Sequence, residues 1–111
     1  MSMAKIIYFS APNKEGNFDE KYARNNFSED VSIYRFYVDS SESRATFELC
    51  VENRTVINRA LNLAGSYLQP VCEGCPMDLS GKDNILNVEK GEAVRYNDVW
   101  KVTKKAKILV K

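Results

Sequence analysis

The segment Cys72-Glu73-Gly74-Cys75-Pro76 holds the sharpest chemical signal in this chain. A CxxC spacing brings two thiols to one point, where they can share a zinc ion or cycle between dithiol and disulfide. Zinc asks for four ligands. The chain has no histidine, so only Cys50 and Asp78 are left to complete a site. Pro76 removes a backbone N–H that would otherwise steady a thiolate. A thioredoxin-like role would also place the motif between a strand and a helix start, whereas here it follows a helical pattern and an extended stretch. The residues therefore favour two loop cysteines, at least one packed as a small hydrophobe. No bound metal and no cofactor is expected.

The second signal is the C-terminal stretch 99–111, with Lys101, Lys104, Lys105, Lys107 and Lys111 beside Trp100. It carries five lysines and no acid, while residues 1–98 carry 11 basic against 15 acidic side chains. The net charge of +1 thus hides an acidic body and a basic tail. Lysines that meet phosphates, with a tryptophan stacking on a base, would make a nucleic-acid surface. The competing reading is an edge strand that uses lysine against sheet-to-sheet aggregation, with Trp100 in the core.

Other constellations carry less. Glu48 and Glu52 lie four residues apart on a strand, about 13 Å at ~3.3 Å per residue, too far for an acid–base pair. The loop from Pro12 to Asn17 lacks the glycine and lysine pattern that wraps phosphate. Tyr8, Phe9, Tyr34, Phe36, Tyr37 and Phe47 read as core, unless an open sheet face turns some tyrosines into an interaction patch. The missing histidine removes the usual general base and the Ser–His and Cys–His pairs.

The elements that must position these residues are mostly strands. Ile6–Phe9 is rich in β-formers, and Val31–Val38 forms a second strand. From Ala45 to Val51 the alternation is strict: Ala45, Phe47, Leu49 and Val51 face the core, and Thr46, Glu48 and Cys50 face out. Residues 18–30 read as a loop with one helical turn near Asp19 to Asn25. Val56, Ile57, Ala60, Leu61 and Ala64 then form the stripe of an amphipathic helix over 54–64, capped by Asn53 or Thr55 and ended near Gly65. Ile85–Val88 is a short strand. Glu92–Tyr96 and Val99–Thr103 pair across Asn97-Asp98, and Lys105–Val110 closes the sheet with Ala106, Ile108 and Val110 inward. The fold class that follows is α+β: about six or seven short strands, mainly antiparallel, packed with one helix.

A chain of 111 residues with 44% hydrophobic and 28% charged side chains suits one domain, 1–111, with one core. No signal peptide and no run of ~20 apolar residues is legible, and the cysteine count is odd, so a cytoplasmic, reducing location and no membrane partner are expected. Asn26-Phe27-Ser28 and Asn53-Arg54-Thr55 match the glycosylation pattern by chance on this reading. Ten asparagines and abundant lysine suggest a bacterial or phage genome. Together these features favour a non-catalytic protein–protein interaction or assembly module, free to form homo-oligomers. The alternatives are a nucleic-acid-binding protein using the lysine-rich tail, and a zinc- or redox-dependent protein using Cys72 and Cys75.

Overall fold

Alternating burial along the strands builds most of this molecule. The computed structural model describes residues 3–111. In chain order the strands are β1 (Met3–Phe9), β2 (Phe18–Asp19), β3 (Tyr34–Asp39), β4 (Arg44–Leu49), β5 (Cys72–Glu73), β6 (Ile85–Glu89), β7 (Gly91–Tyr96), β8 (Val99–Lys104) and β9 (Ala106–Val110). Two helices, α1 (Arg54–Asn62) and α2 (Ala64–Tyr67), lie between β4 and β5. The main sheet is antiparallel, in the order β1-β3-β4-β7-β8-β2. A smaller sheet, β5-β9-β6, is mixed, with β5 parallel to β9. The architecture is α+β and mostly sheet, as the patterning predicts. It has nine strands among the described residues, and two sheets where one was expected.

The main sheet curls until its edges nearly meet. Residues 18–24 join them: Phe18 and Asp19 pair with Trp100 and Val99, and Arg24 exchanges backbone hydrogen bonds of 2.8 and 3.0 Å with Tyr8 of β1. This segment reaches at most roughly 20–25 Å, which limits the gap between β1 and β8. It was expected to be a loop with a helical turn. It contains a short 3-10 helix at Glu20–Tyr22, and it also supplies strand β2. The inside of the curl is aromatic. Phe18 meets Tyr34, Phe36 and Phe47 edge-on at centroid distances of 5.4, 5.0 and 6.0 Å, and Phe36 stacks on Phe47 at 5.2 Å. Such pairs add stabilisation beyond the area they bury. Trp100 is fully buried, and its indole N–H donates to Glu20 Oε2 at 2.6 Å.

The two sheets share one long hairpin. The chain runs out through β6 and β7, turns at Asn97 (φ 55°), and returns through β8 and β9. Glu92 pairs with Lys104 on one side of the crossing and Glu89 with Lys107 on the other. Bulges between Asn87 and Glu89 and between Glu92 and Ala93 accompany the change of sheet, as bulges do where strands turn a corner. At the corner sits Gly91. A Cβ there would stand 2.4 Å from the Phe47 ring and 2.8 Å from the Ala106 nitrogen, so only glycine fits. Beyond the corner the Asn87 side chain takes over the edge of β4. It accepts from the Leu49 N–H at 3.3 Å and donates to the Leu49 carbonyl at 2.9 Å.

Several boundaries move. Val31 and Ser32 lie in a turn, so the second strand starts at Tyr34; Ser32 Oγ accepts from the Ser28 N–H at 2.9 Å within that turn. Beyond Leu49 the chain turns, so Val51 leaves the strand and is half-buried. Asn53 does cap α1, accepting from the Val56 N–H at 3.2 Å. Val56, Ile57 and Ala60 are buried, but Leu61 is only partly so. The predicted single helix breaks at Leu63 (φ −130°, ψ 46°), and Gly65 lies inside α2 instead of ending α1. The break redirects the chain so that Ala64, Leu68 and Val71 reach the core. Strand β9 is the middle of its sheet, not an edge, and Val102 is half-buried.

Gly91→Ala should lower stability by about 1–3 kcal/mol through overpacking against Phe47. Gly65→Ala, with nothing within 4 Å of the added carbon, should be neutral or slightly stabilising. Urea midpoints of the two variants measure the contrast, and equal midpoints would contradict the corner geometry. Because β9 is central, removing residues 105–111 should abolish cooperative unfolding, read by near-UV circular dichroism.

Candidate functional site

The cysteine cluster is set by where β5 lies. Pro70 and Val71 lead the chain out of α2, and Cys72 pairs beside Ala106 with its side chain turned into the core. The Tyr34 hydroxyl, itself fully buried, donates to the Tyr67 carbonyl and lies 3.2 Å from the Cys72 sulfur. Gly74 (φ 99°) then folds the loop against β9; a Cβ there would stand 2.1 Å from the Ile108 carbonyl oxygen. Cys75 is half-buried, with its thiol 3.8 Å from the Pro76 carbonyl.

Burial governs the acidity of these groups. It pushes the Cys72 thiol up to about 12, against the opposing effect of the Tyr34 hydroxyl. It also pushes Cys50 up to about 12, against Arg35, and raises Cys75 and Tyr34 above their ordinary values. A thiol held in its protonated form is a poor ligand and a poor nucleophile. Cys50 corrects the sequence reading. Placed on the polar strand face by alternation, it lies just past the end of β4, where the turn takes it fully inside. Asp78 is exposed and holds its own turn, accepting from the Ser80 N–H at 2.9 Å. Among the described residues no three of Cys, Asp and Glu converge as a metal centre requires. Cys72 and Cys75 stay near one another, while Cys50 and Asp78 do not join them in a cluster of three.

The basic tail is likewise divided. Trp100 is enclosed and cannot stack on a base, which corrects the nucleic-acid reading at its aromatic. Lys101 lies over the Tyr96 ring at 5.2 Å. Lys104 pairs with Glu89, and Lys107 reaches the same carboxylate at 3.8 Å. Lys105, Lys107 and Lys111 are exposed while Ala106, Ile108 and Val110 are buried, as the alternation predicts. Lys105 and Lys111 have no carboxylate partner among the described residues.

On the outer face of the main sheet, Arg35 sits between Glu48, at 3.5 Å, and Glu52. Those carboxylates serve as its counter-ions. The tyrosines of this face are engaged too. Tyr37 donates to Glu48 at 2.5 Å and is covered by Lys90 at 4.5 Å from its ring; Tyr8 lies under Arg35 and against Phe27. A shallow groove of about 520 Å³ runs beside Tyr37, over Thr46 and Val94.

The outer face of the small sheet differs. Leu86 and Leu109 are direct cross-strand partners, exposed at 38% and 49%, and Val88, the extra residue of the β6 bulge, is 63% exposed. Lys107 flanks them on the same face. Sequence reasoning missed this patch. Leu86 and Val88 look like strand core, and only the pairing Ile85↔Val110 shows which residues of β6 face inward. Among the described residues no helix is long and apolar enough to cross a membrane. Comparison with protein-family models, curated proteins and solved structures finds no match to this chain.

Iodoacetamide at pH 8 should label Cys75 in the native protein and spare Cys50 and Cys72; mass spectrometry of tryptic peptides reads the outcome. The raised thiol values also fix a sign. The folded thiols keep their protons to about 12, while unfolded ones ionise near 9, so stability is full below pH 9 and is lost as pH climbs toward 12. Urea midpoints that stay level from pH 8 to 11 would contradict this burial.

Proposed function

We propose that this chain is a non-catalytic protein-interaction module that docks its partner on the outer face of β6 and β9. The observation that carries the reading is the aliphatic set Leu86, Val88 and Leu109 on a solvent-facing sheet surface. Single exposed hydrophobics are ordinary, but neighbouring ones rimmed by charge mark contact sites. The buried thiols support a binding role over a catalytic one, because they leave the CxxC without an accessible thiolate pair. The nucleic-acid alternative loses support with Trp100 enclosed and Lys101, Lys104 and Lys107 occupied by neighbouring groups. At the centre of the basic surface stand aliphatic side chains, which offer bases nothing to stack on.

Leu86→Ser with Leu109→Ser should cost about 1 kcal/mol for each change and leave the protein folded, because each side chain is only about half-buried. The same double change should remove the proteins that wild-type bait retains from the native host, quantified by mass spectrometry. An identical retained set for both baits would sink the docking face.

A further inference from the structure

We infer that the occupant of this face is an amphipathic helix of another protein, with acidic side chains flanking its apolar stripe. The inference rests on the docking reading above and adds the chemistry of the partner. The small sheet and its flanks, residues 72–73, 82–90 and 104–111, hold Lys82, Lys90, Lys104, Lys105, Lys107 and Lys111 against Glu73, Asp83 and Glu89, with Glu73 directly opposite Lys107. That is a net charge of +3, leaving −2 for the rest of a chain whose net charge is +1. The charge that Glu89 neutralises lies beside Lys104 and Lys107; Lys105 and Lys111 remain uncompensated among the described residues.

This field selects among occupants. A second copy bound about a two-fold axis would set Lys105, Lys107 and Lys111 against their own copies, and like charges brought together oppose the contact. A partner with Asp and Glu around aliphatic side chains meets both features at once. A bare sheet face is covered by a helix or another sheet in the layer arrangements that proteins use. The strands set the size: five residues each, about 17 Å at ~3.3 Å per residue, match roughly 11 residues of helix at 1.5 Å each. Leu86, Val88 and Leu109 would receive side chains spaced i, i+3, i+4 and i+7, and Lys105, Lys107 and Lys111 would meet the flanking carboxylates.

The test uses the full chain and two fluorescent, capped helical peptides with the same leucine stripe, one flanked by glutamate and one by lysine. Fluorescence anisotropy should show the acidic peptide binding at least about tenfold more tightly. Raising the salt from 50 to 300 mM should weaken it several-fold, and Lys105→Glu with Lys111→Glu should weaken it about tenfold without moving the urea midpoint. Backbone amide shifts on titration should centre on 85–89 and 106–110. Equal binding of the two peptides, or preference for the basic one, would overturn the partner chemistry while leaving the face intact. Shifts centred elsewhere would overturn the face itself. Tighter competition by a single-stranded oligonucleotide or by anionic phospholipid vesicles would hand the surface to that ligand class instead. Sedimentation showing a stable dimer closed through Leu86 and Leu109 would do the same for a second copy.

Discussion

The ring of Phe47 needs the space that Gly91 leaves empty, and much of the architecture follows from that contact. Phe47 stacks on Phe36 and meets Phe18 and Tyr34 edge-on, so its position fixes the aromatic interior. It fills the place where a side chain on the crossing strand would stand. The long hairpin can therefore pass close over β4 and leave the main sheet there. The small sheet exists because of that departure: β6 and β9 are the outer halves of strands whose inner halves belong to the curl. With β9 displaced from the main sheet, β5 pairs beside it, and the CxxC segment comes to rest with Cys72 under the Tyr34 hydroxyl.

This dependence explains what could be read from the residues and what could not. Alternation found β4 and β9 and assigned Phe47, Leu49, Ile108 and Val110 to the core, because a period of two has one reading where one face meets water; β3 was marked by its β-forming residues alone. The helical stripe gave Val56, Ile57 and Ala60 for a similar reason, although Leu61 and Gly65 were misplaced once the helix broke at Leu63. The division into two sheets was not legible. It depends on the fit of an aromatic ring to a glycine more than 40 residues away, and no local pattern encodes such a pairing. The short β2 and β5 strands were hidden because two residues are too few to show a period.

The candidate sites divide along the same line. Cys50 was assigned by alternation one residue beyond the strand's end, and that single step turned a surface thiol into a core one. Trp100 went the other way from its lysine neighbours because Glu20, across the curl, supplies an acceptor for its indole N–H. The face bearing Leu86, Val88 and Leu109 went unnoticed because an apolar residue on an uncovered sheet looks, in sequence, like any other β-strand residue. Its exposure is a property of the sheet split. The residues that carry the proposed function thus owe their place in solvent to the corner at Gly91.

The segment 18–24, which bridges the two edges of the curl, also sets an order of events. Glu20 and its partner Trp100 are 80 residues apart in the chain. Synthesis at ~5–20 residues per second separates their appearance by roughly 4–16 s. The hairpin from Ile85 to Val110 can form from neighbours alone, but Phe18 has no strand to pair with until Trp100 has been made. During that interval the aromatic interior lies uncovered on one side. Closing the curl thus depends on a contact of long sequence separation, the kind of contact that slows folding.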